Sequence, residues 1–148
     1  MSLTSGRFVD REHRYPIRIF YEDTDAGGVV YHAHYLNFAE RARTECLRLL
    51  DLHQSLLRDS HDLVFAVRDC SLEFLRPARL DDLLEVRSCF VAMAGATLSV
   101  LQAIWRDDEL LVRLRVRIAA INTSGRPTRI PSSIRGILAP YVQPLEQG

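Results

Sequence analysis

Between residues 110 and 122 the chain alternates with a period of two. Leu110, Val112, Leu114, Val116, Ile118 and Ala120 point one way and Arg113, Arg115 and Arg117 the other. A strand of this kind belongs to a sheet with one buried face and one face that is wet or meets a partner. Something in the chain must cover the buried face. The candidate is a single segment in which Tyr35, Phe38, Ala39, Ala42, Cys46, Leu49 and Leu50 recur at helical spacing, which predicts a helix of about five turns with one apolar stripe. Glu40, Arg41, Arg43, Glu45 and Arg48 fall largely off that stripe. Arg41 and Glu45 can interact one turn apart for a few tenths of a kcal/mol.

The remaining elements fix the architecture. Ile17, Ile19 and Tyr21 alternate with Arg18, Phe20 and Glu22, so a short first strand precedes the helix, with Pro16 tolerated at its start. Residues 63–74, 83–92, 96–106 and 110–122 are rich in β-branched and aromatic residues. They are separated by Arg76-Pro77-Ala78 with Asp81-Asp82, by Gly95 and by Asp107-Asp108, which predicts a four-stranded antiparallel meander. Residues 53–62 read as a polar connection with one extra turn. Pro127, Pro131 and Pro140 limit residues 130–138 to a short helix before an irregular tail. The expectation is an α+β domain over residues 1–148, with residues 1–14 and 139–148 as tails: a curved antiparallel five-stranded sheet wrapped around one long central helix. Such a layer leaves sheet edges, which predicts association into a homodimer or homotetramer.

Composition narrows the function classes. The 148 residues are 47% hydrophobic, enough for one core, and 19 cationic side chains balance 19 acidic ones. That balance lacks the basic footprint of a nucleic-acid binder, so no nucleic-acid partner is expected. All 19 cations are arginine, which genome composition explains better than a demand for phosphate contacts, so no function is read from it. Cys46, Cys70 and Cys89 are odd in number and sit in apolar segments, as buried free thiols do. No signal-peptide core and no apolar run of about 18 residues occurs, so a cytoplasmic protein without a membrane span is expected.

Chemistry concentrates in residues 21–45, where Asp23 and Asp25 precede Gly27-Gly28 and the helix follows. A flexible loop ending at a helix start can hold a carboxylate beside the unpaired N–H groups of the first turn. Asp25 is the candidate nucleophile or general base, with the N–H groups around Tyr31 and His32 as an oxyanion site. An Asp in a turn can equally be a local cap, and for Asp23 capping is the favoured role. His32 can bond the leaving sulfur or the carbonyl, orient Asp25, or be satisfied by nearby carbonyls. His32 and His34 raise a metal site as a rival, but single-residue spacing on a helix turns the two side chains roughly 200° apart. An aspartic protease would need Asp-Thr-Gly, whereas Asp25 holds the glycine position, and no Gly-x-Ser-x-Gly elbow supports a serine hydrolase.

The string Tyr-Glu-Asp-Thr-Asp-Ala-Gly-Gly-Val-Val-Tyr-His from Tyr21 to His32, followed by Tyr35-Leu36 and Glu40-Arg41-Ala42-Arg43-Thr44-Glu45, closely resembles the signature of the hotdog-fold acyl-CoA thioesterases. The resemblance is to the group that contains 4-hydroxybenzoyl-CoA thioesterase and YbgC. Arg76-Pro77-Ala78 with Asp81-Asp82, and Gly125-Arg126-Pro127 with Pro131, are weaker echoes. The resemblance implies a hotdog fold, hydrolysis of an acyl-CoA to free acid and CoA, and no cofactor, CoA being part of the substrate. It assigns the catalytic carboxylate to Asp25, an N–H contribution to Tyr31 and a family histidine to His32, with Gly28, Val29 and Glu40 beside the substrate. Arg76, Arg79, Arg126 and Arg129 are candidates for the CoA phosphates, with Arg76 and Arg126 favoured. It also implies sites at a dimer interface and association with cell-envelope or lipid-synthesis proteins. The alternative from another class is a non-catalytic hotdog protein that binds acyl-thioesters or acts as a scaffold. A hotdog dehydratase fits less well, since it uses a different His/Asp or His/Glu arrangement.

Overall fold

The computed structural model describes residues 4–145. Six strands, β1 (Arg7–Val9), β2 (Glu12–Arg18), β3 (Val64–Phe74), β4 (Leu83–Met93), β5 (Thr97–Arg106) and β6 (Glu109–Ile121), form one antiparallel sheet. Their order is β1-β2-β4-β5-β6-β3. Helix α1 (His34–Leu49) packs on one face; α2 (Gln54–His61) and α3 (Ser132–Leu138) are short.

Helix α1 contains neither proline nor glycine, and its buried residues Tyr35, Phe38, Ala39, Ala42, Cys46 and Leu47 follow the expected stripe, with Leu47 added. Leu49 and Leu50 are only half-buried. Asp51, in the left-handed conformation at φ 60°, ends the helix, and the Leu52 N–H returns to the Leu47 carbonyl at 2.9 Å. The facing sheet surface carries Leu84 and Val86 on β4, Val100 and Ile104 on β5, and Leu114 and Val116 on β6, all buried. Ala39 and Ala42 let the helix approach closely enough for the Gln102 side-chain amide to reach the Ala39 carbonyl at 3.0 Å.

Several expectations are corrected. The sheet has six strands; β1 and the first three residues of β2 lie within the segment expected to be a tail, and the rest of β2 overlaps the expected first strand. Of residues 1–14, those from Arg7 onward largely form the β1–β2 hairpin, while residues 1–3 lie outside the described residues. Local pattern does not mark this segment because its core contacts are sparse: among residues 4–14 only Ser5 and His13 are buried. The hairpin is fastened by a 2.6 Å bond from the Ser5 hydroxyl to Glu45 on α1 and a 2.7 Å bond between His13 Nε2 and the Ser5 carbonyl. Gly6 (φ 72°) fits only without a side chain, since a Cβ there would stand 2.2 Å from the Arg14 carbonyl oxygen.

The first strand ends at Arg18, and Tyr21–Asp23 is a turn of 3-10 helix. The meander covers β4, β5 and β6 only; β3 pairs with β6 at the far edge, so the sheet continues across the helix from both sides. The alternation on β6 slips where a bulge leaves Leu111 without a partner on β5, so Leu110 lies opposite Trp105 and not on the face of Val112. Residues 54–61 form two helical turns. Of the supposed C-terminal tail, residues 146–148 lie outside the described residues and the preceding part is docked: Val142 bridges to Phe90, the Gln143 N–H donates to the Phe90 carbonyl at 2.7 Å, and the Tyr141 ring meets Phe8 at 4.6 Å.

Burial of His13 lowers its pKa from 6.5, against the opposing effects of the Ser5 carbonyl and Glu45. A histidine that protonates more readily when unfolded contributes stability present above pH 6.5 and lost as pH falls through that value. Urea midpoints are expected to fall between pH 7.5 and pH 5, with a shallower fall in His13→Gln.

Candidate active site

The acidic loop is a tight β-turn. Thr24 bridges to Val30, the Asp25 N–H donates to the Val29 carbonyl at 2.9 Å and the Gly28 N–H to the Asp25 carbonyl at 3.0 Å. Gly28 takes φ 78°, which its lack of a side chain permits, and the Gly27 N–H donates to Asp25 Oδ1 at 2.8 Å. The second carboxylate oxygen of Asp25 has no hydrogen-bond partner among the described residues, and the residue is exposed in the single chain. Val29 bridges to Arg79, and the Val30 N–H donates to the Ala78 carbonyl at 2.9 Å, which fastens the loop to residues 76–82.

Asp23 takes the structural role. It is buried at 6% exposure, accepts the Phe20 N–H at 2.8 Å, and offers its carbonyl to the Tyr31 N–H at 3.0 Å. This corrects the helix-mouth picture at one point: the Tyr31 N–H is engaged inside the loop. The His32 N–H makes no backbone or side-chain hydrogen bond among the described residues. Helix α1 begins two residues later, at His34, and brings together an aromatic group. Tyr31 meets His32 at 4.5 Å, His32 meets Phe74 at 6.4 Å and Tyr35 meets Phe74 at 5.8 Å between ring centroids. Phe20, Tyr21, Tyr31, Phe74 and Leu75 remain exposed around this end of the molecule, more apolar surface than a solvated loop needs.

Glu40 is exposed on α1, one to two turns past the loop, and lines a cavity of about 430 Å³ between α1 and the β3–β6 pair. The arginines separate. Arg79 adjoins the loop through Val29, and Arg76 stands at the same end of the sheet, paired with Glu109 at 2.8 Å. Arg126 follows the turn after β6, beside the start of β3, because Ile121 pairs with Val64. At 3.3 Å per residue, the 11-residue β3 puts Arg76 and Arg126 about 33 Å apart along one strand. They cannot hold the same phosphates within one chain.

Two structural supports were not singled out from the sequence. The Tyr35 hydroxyl accepts the Ala78 N–H at 3.1 Å, so the first turn of α1 and the acidic loop hang from the same residue. The signal available was a tyrosine on a buried stripe, whose hydroxyl needs a partner. Gln102 is the second: a 2%-exposed amide on the central strand β5 that reaches α1 and Arg43. A lone polar residue in an apolar strand was its only mark.

A single helix laid on an antiparallel sheet, entered through an acidic Gly-Gly turn, defines the class of hotdog thioesterases. The sequence profile of the thioesterase superfamily matches residues 27–113, more than half of the chain, and the chain belongs to that family. It is 39% identical over 128 residues to the acyl-CoA thioesterase YbgC of Haemophilus influenzae, covering 86% of this chain and 94% of the relative. It is 42% identical over 123 residues to the acyl-CoA thioester hydrolase YbgC of Escherichia coli O157:H7, covering 82% and 91%. The crystal structure of a probable thioesterase from Bartonella henselae superposes with a TM-score of 0.78 at 39% identity, covering 81% of this chain and 99% of that one.

Proposed function

We propose that this protein hydrolyses acyl-CoA thioesters to the free acid and CoA, with Asp25 as the reacting carboxylate. The observation that carries the reading is the Asp25 turn, which leaves one carboxylate oxygen unbonded, followed seven residues on by an unengaged His32 N–H at the start of the helix, in a chain of the thioesterase family. A thioester needs only an oxygen nucleophile and a place for the developing oxyanion, since its thiolate leaves readily. In one route Asp25 attacks the carbonyl carbon, the C–S bond breaks, CoA leaves as thiolate, and water cleaves the resulting anhydride. In the other Asp25 takes a proton from water, the hydroxide adds, and the tetrahedral intermediate expels the thiolate, which receives the proton. In both, the helix-start N–H groups at His32, aided by the positive end of α1, stabilise the oxyanion. The Tyr31 N–H can join them by sharing its bond to the Asp23 carbonyl.

The working unit of this reading is a homo-oligomer. Strand β3 is an 11-residue edge with Val67 52% and Phe74 53% exposed, a strand that would otherwise invite uncontrolled pairing. Two β3 strands paired antiparallel about a two-fold axis set the start of one against the end of the other. The Arg126 of a second copy would then lie near the Asp25 loop, which accounts for two arginine groups at opposite ends of one chain. The solution mass is expected to be at least twice 16.9 kDa, and a fully active monomer would contradict this assembly.

The test is release of free thiol from an acyl-CoA panel. Burial pushes the Cys46 thiol up to about 12 and the Cys89 thiol up to about 11, and also raises Cys70. At pH 8 the folded protein is expected to show no fast-reacting Cys46 or Cys89, with all three thiols appearing in denaturant, so the assay background stays low. No thiol release from any acyl-CoA would favour the acyl-binding, non-catalytic reading.

A further inference from the structure

We propose that Arg43, held across the acyl cavity by Gln102, is a chain-length ruler that restricts the enzyme to short acyl groups. The inference rests on the thioesterase reading and adds a specificity-determining residue to it. The cavity between α1 and the β3–β6 pair begins at Leu36, one turn past His32, and runs along the helix past Glu40 and Arg43 to Leu47. Its sheet wall can be ordered along β3. Phe74, which meets the His32 ring, marks the reacting end, and Cys70 stands four residues, or about 13 Å, further in. Val67 and Phe65 lie beyond it.

The Arg43 guanidinium sits between the two parts. It shares the cavity wall with Cys70, whose thiol pKa it lowers against the larger raising effect of burial, while its own pKa is lowered by desolvation. Its position is fixed from below: Arg43 Nη1 donates to Gln102 Oε1 at 2.8 Å, and the Gln102 amide donates to the Ala39 carbonyl and the Ser88 hydroxyl, both at 3.0 Å. Those two acceptors dictate which way the amide points, so its oxygen is presented to Arg43. Among the described residues Arg43 forms no ion pair. Glu40, one turn before it and lining the same cavity, acts on it electrostatically without a hydrogen bond, so its remaining donors are left to water in the cavity. A short acyl chain stops before the guanidinium and leaves that water in place. A long chain must pass it to reach Val67 and Phe65, stripping water from a charge and returning no hydrogen bond.

The experiment measures kcat/KM for butanoyl-, hexanoyl-, tetradecanoyl- and hexadecanoyl-CoA in the wild type and three variants. The wild type is expected to favour the two short substrates. Arg43→Leu is expected to shift the long-to-short ratio by tenfold or more, roughly what one to two methylenes gaining an apolar site are worth. Arg43→Lys, which keeps the charge, is expected to keep the short-chain profile. Gln102→Leu frees the guanidinium and is expected to relax the profile partway, and it tests the ruler independently should Arg43→Leu not fold. A wild type that prefers long chains, or a ratio unmoved by both Arg43→Leu and Gln102→Leu, overturns the ruler while leaving thioesterase activity standing. A wild type that hydrolyses none of the four overturns the ruler, and it overturns the thioesterase reading as well when aromatic benzoyl-CoA also releases no thiol.

Discussion

Asp25→Asn is expected to lower turnover by roughly 10²- to 10⁴-fold, the range that a positioned acid–base or nucleophilic group supplies. The amide keeps the shape of the side chain and can still accept the Gly27 N–H, so the turn and the melting temperature should change little. What it loses is the negative charge and basicity of the oxygen that has no partner. A variant with wild-type rates would remove Asp25 from the mechanism. The two routes separate in single-turnover reactions in ¹⁸O-water followed by mass analysis of the peptide containing Asp25. A covalent anhydride cleaved at the aspartyl carbon leaves label in the enzyme, whereas general-base catalysis places it only in the released acid.

Phe38→Ala is expected to destabilise the fold by about 3–5 kcal/mol, seen as a fall in the urea midpoint with little change in slope. Phe38 is fully buried at the centre of the interface between α1 and the sheet, and it packs edge-on against Tyr35 at 6.1 Å. The surrounding strands are hydrogen-bonded into a sheet and cannot collapse into the void. A loss below about 1 kcal/mol would mean that the helix–sheet interface is not the core of this molecule. The contrast with Asp25→Asn is informative, since one change removes chemistry and keeps the fold while the other weakens the fold.

The helix, the strand positions and the acidic loop were legible because each is written in local terms. Tyr35, Phe38, Ala39, Ala42 and Cys46 repeat at the helical period, and every one is buried. The aspartates expected to form turns do so, with Asp81 and Asp107 in the left-handed conformation that short polar side chains tolerate. The β1–β2 hairpin was not legible, because it is held by a serine hydroxyl, a buried histidine and a glycine that only a neighbouring carbonyl makes obligatory. The place of β3 was not legible either, since period-two alternation says that a strand pairs but not with which strand.

The sequence by itself determined an α+β chain built on one helix and an antiparallel sheet, with an acidic Gly-Gly turn before that helix. Local periodicity and backbone preference depend on neighbours a few residues away, so they survive without coordinates. Only the tertiary structure decided that β3 closes the far edge, that the Tyr31 N–H is spent on Asp23, and that Arg76 and Arg126 stand at opposite ends of the sheet. It alone also set Gln102 beneath Arg43. Apart from the Asp23–Tyr31 bond, which closes a loop, these join residues tens of positions apart, and such pairings follow from the three-dimensional course of the chain, which no local pattern records.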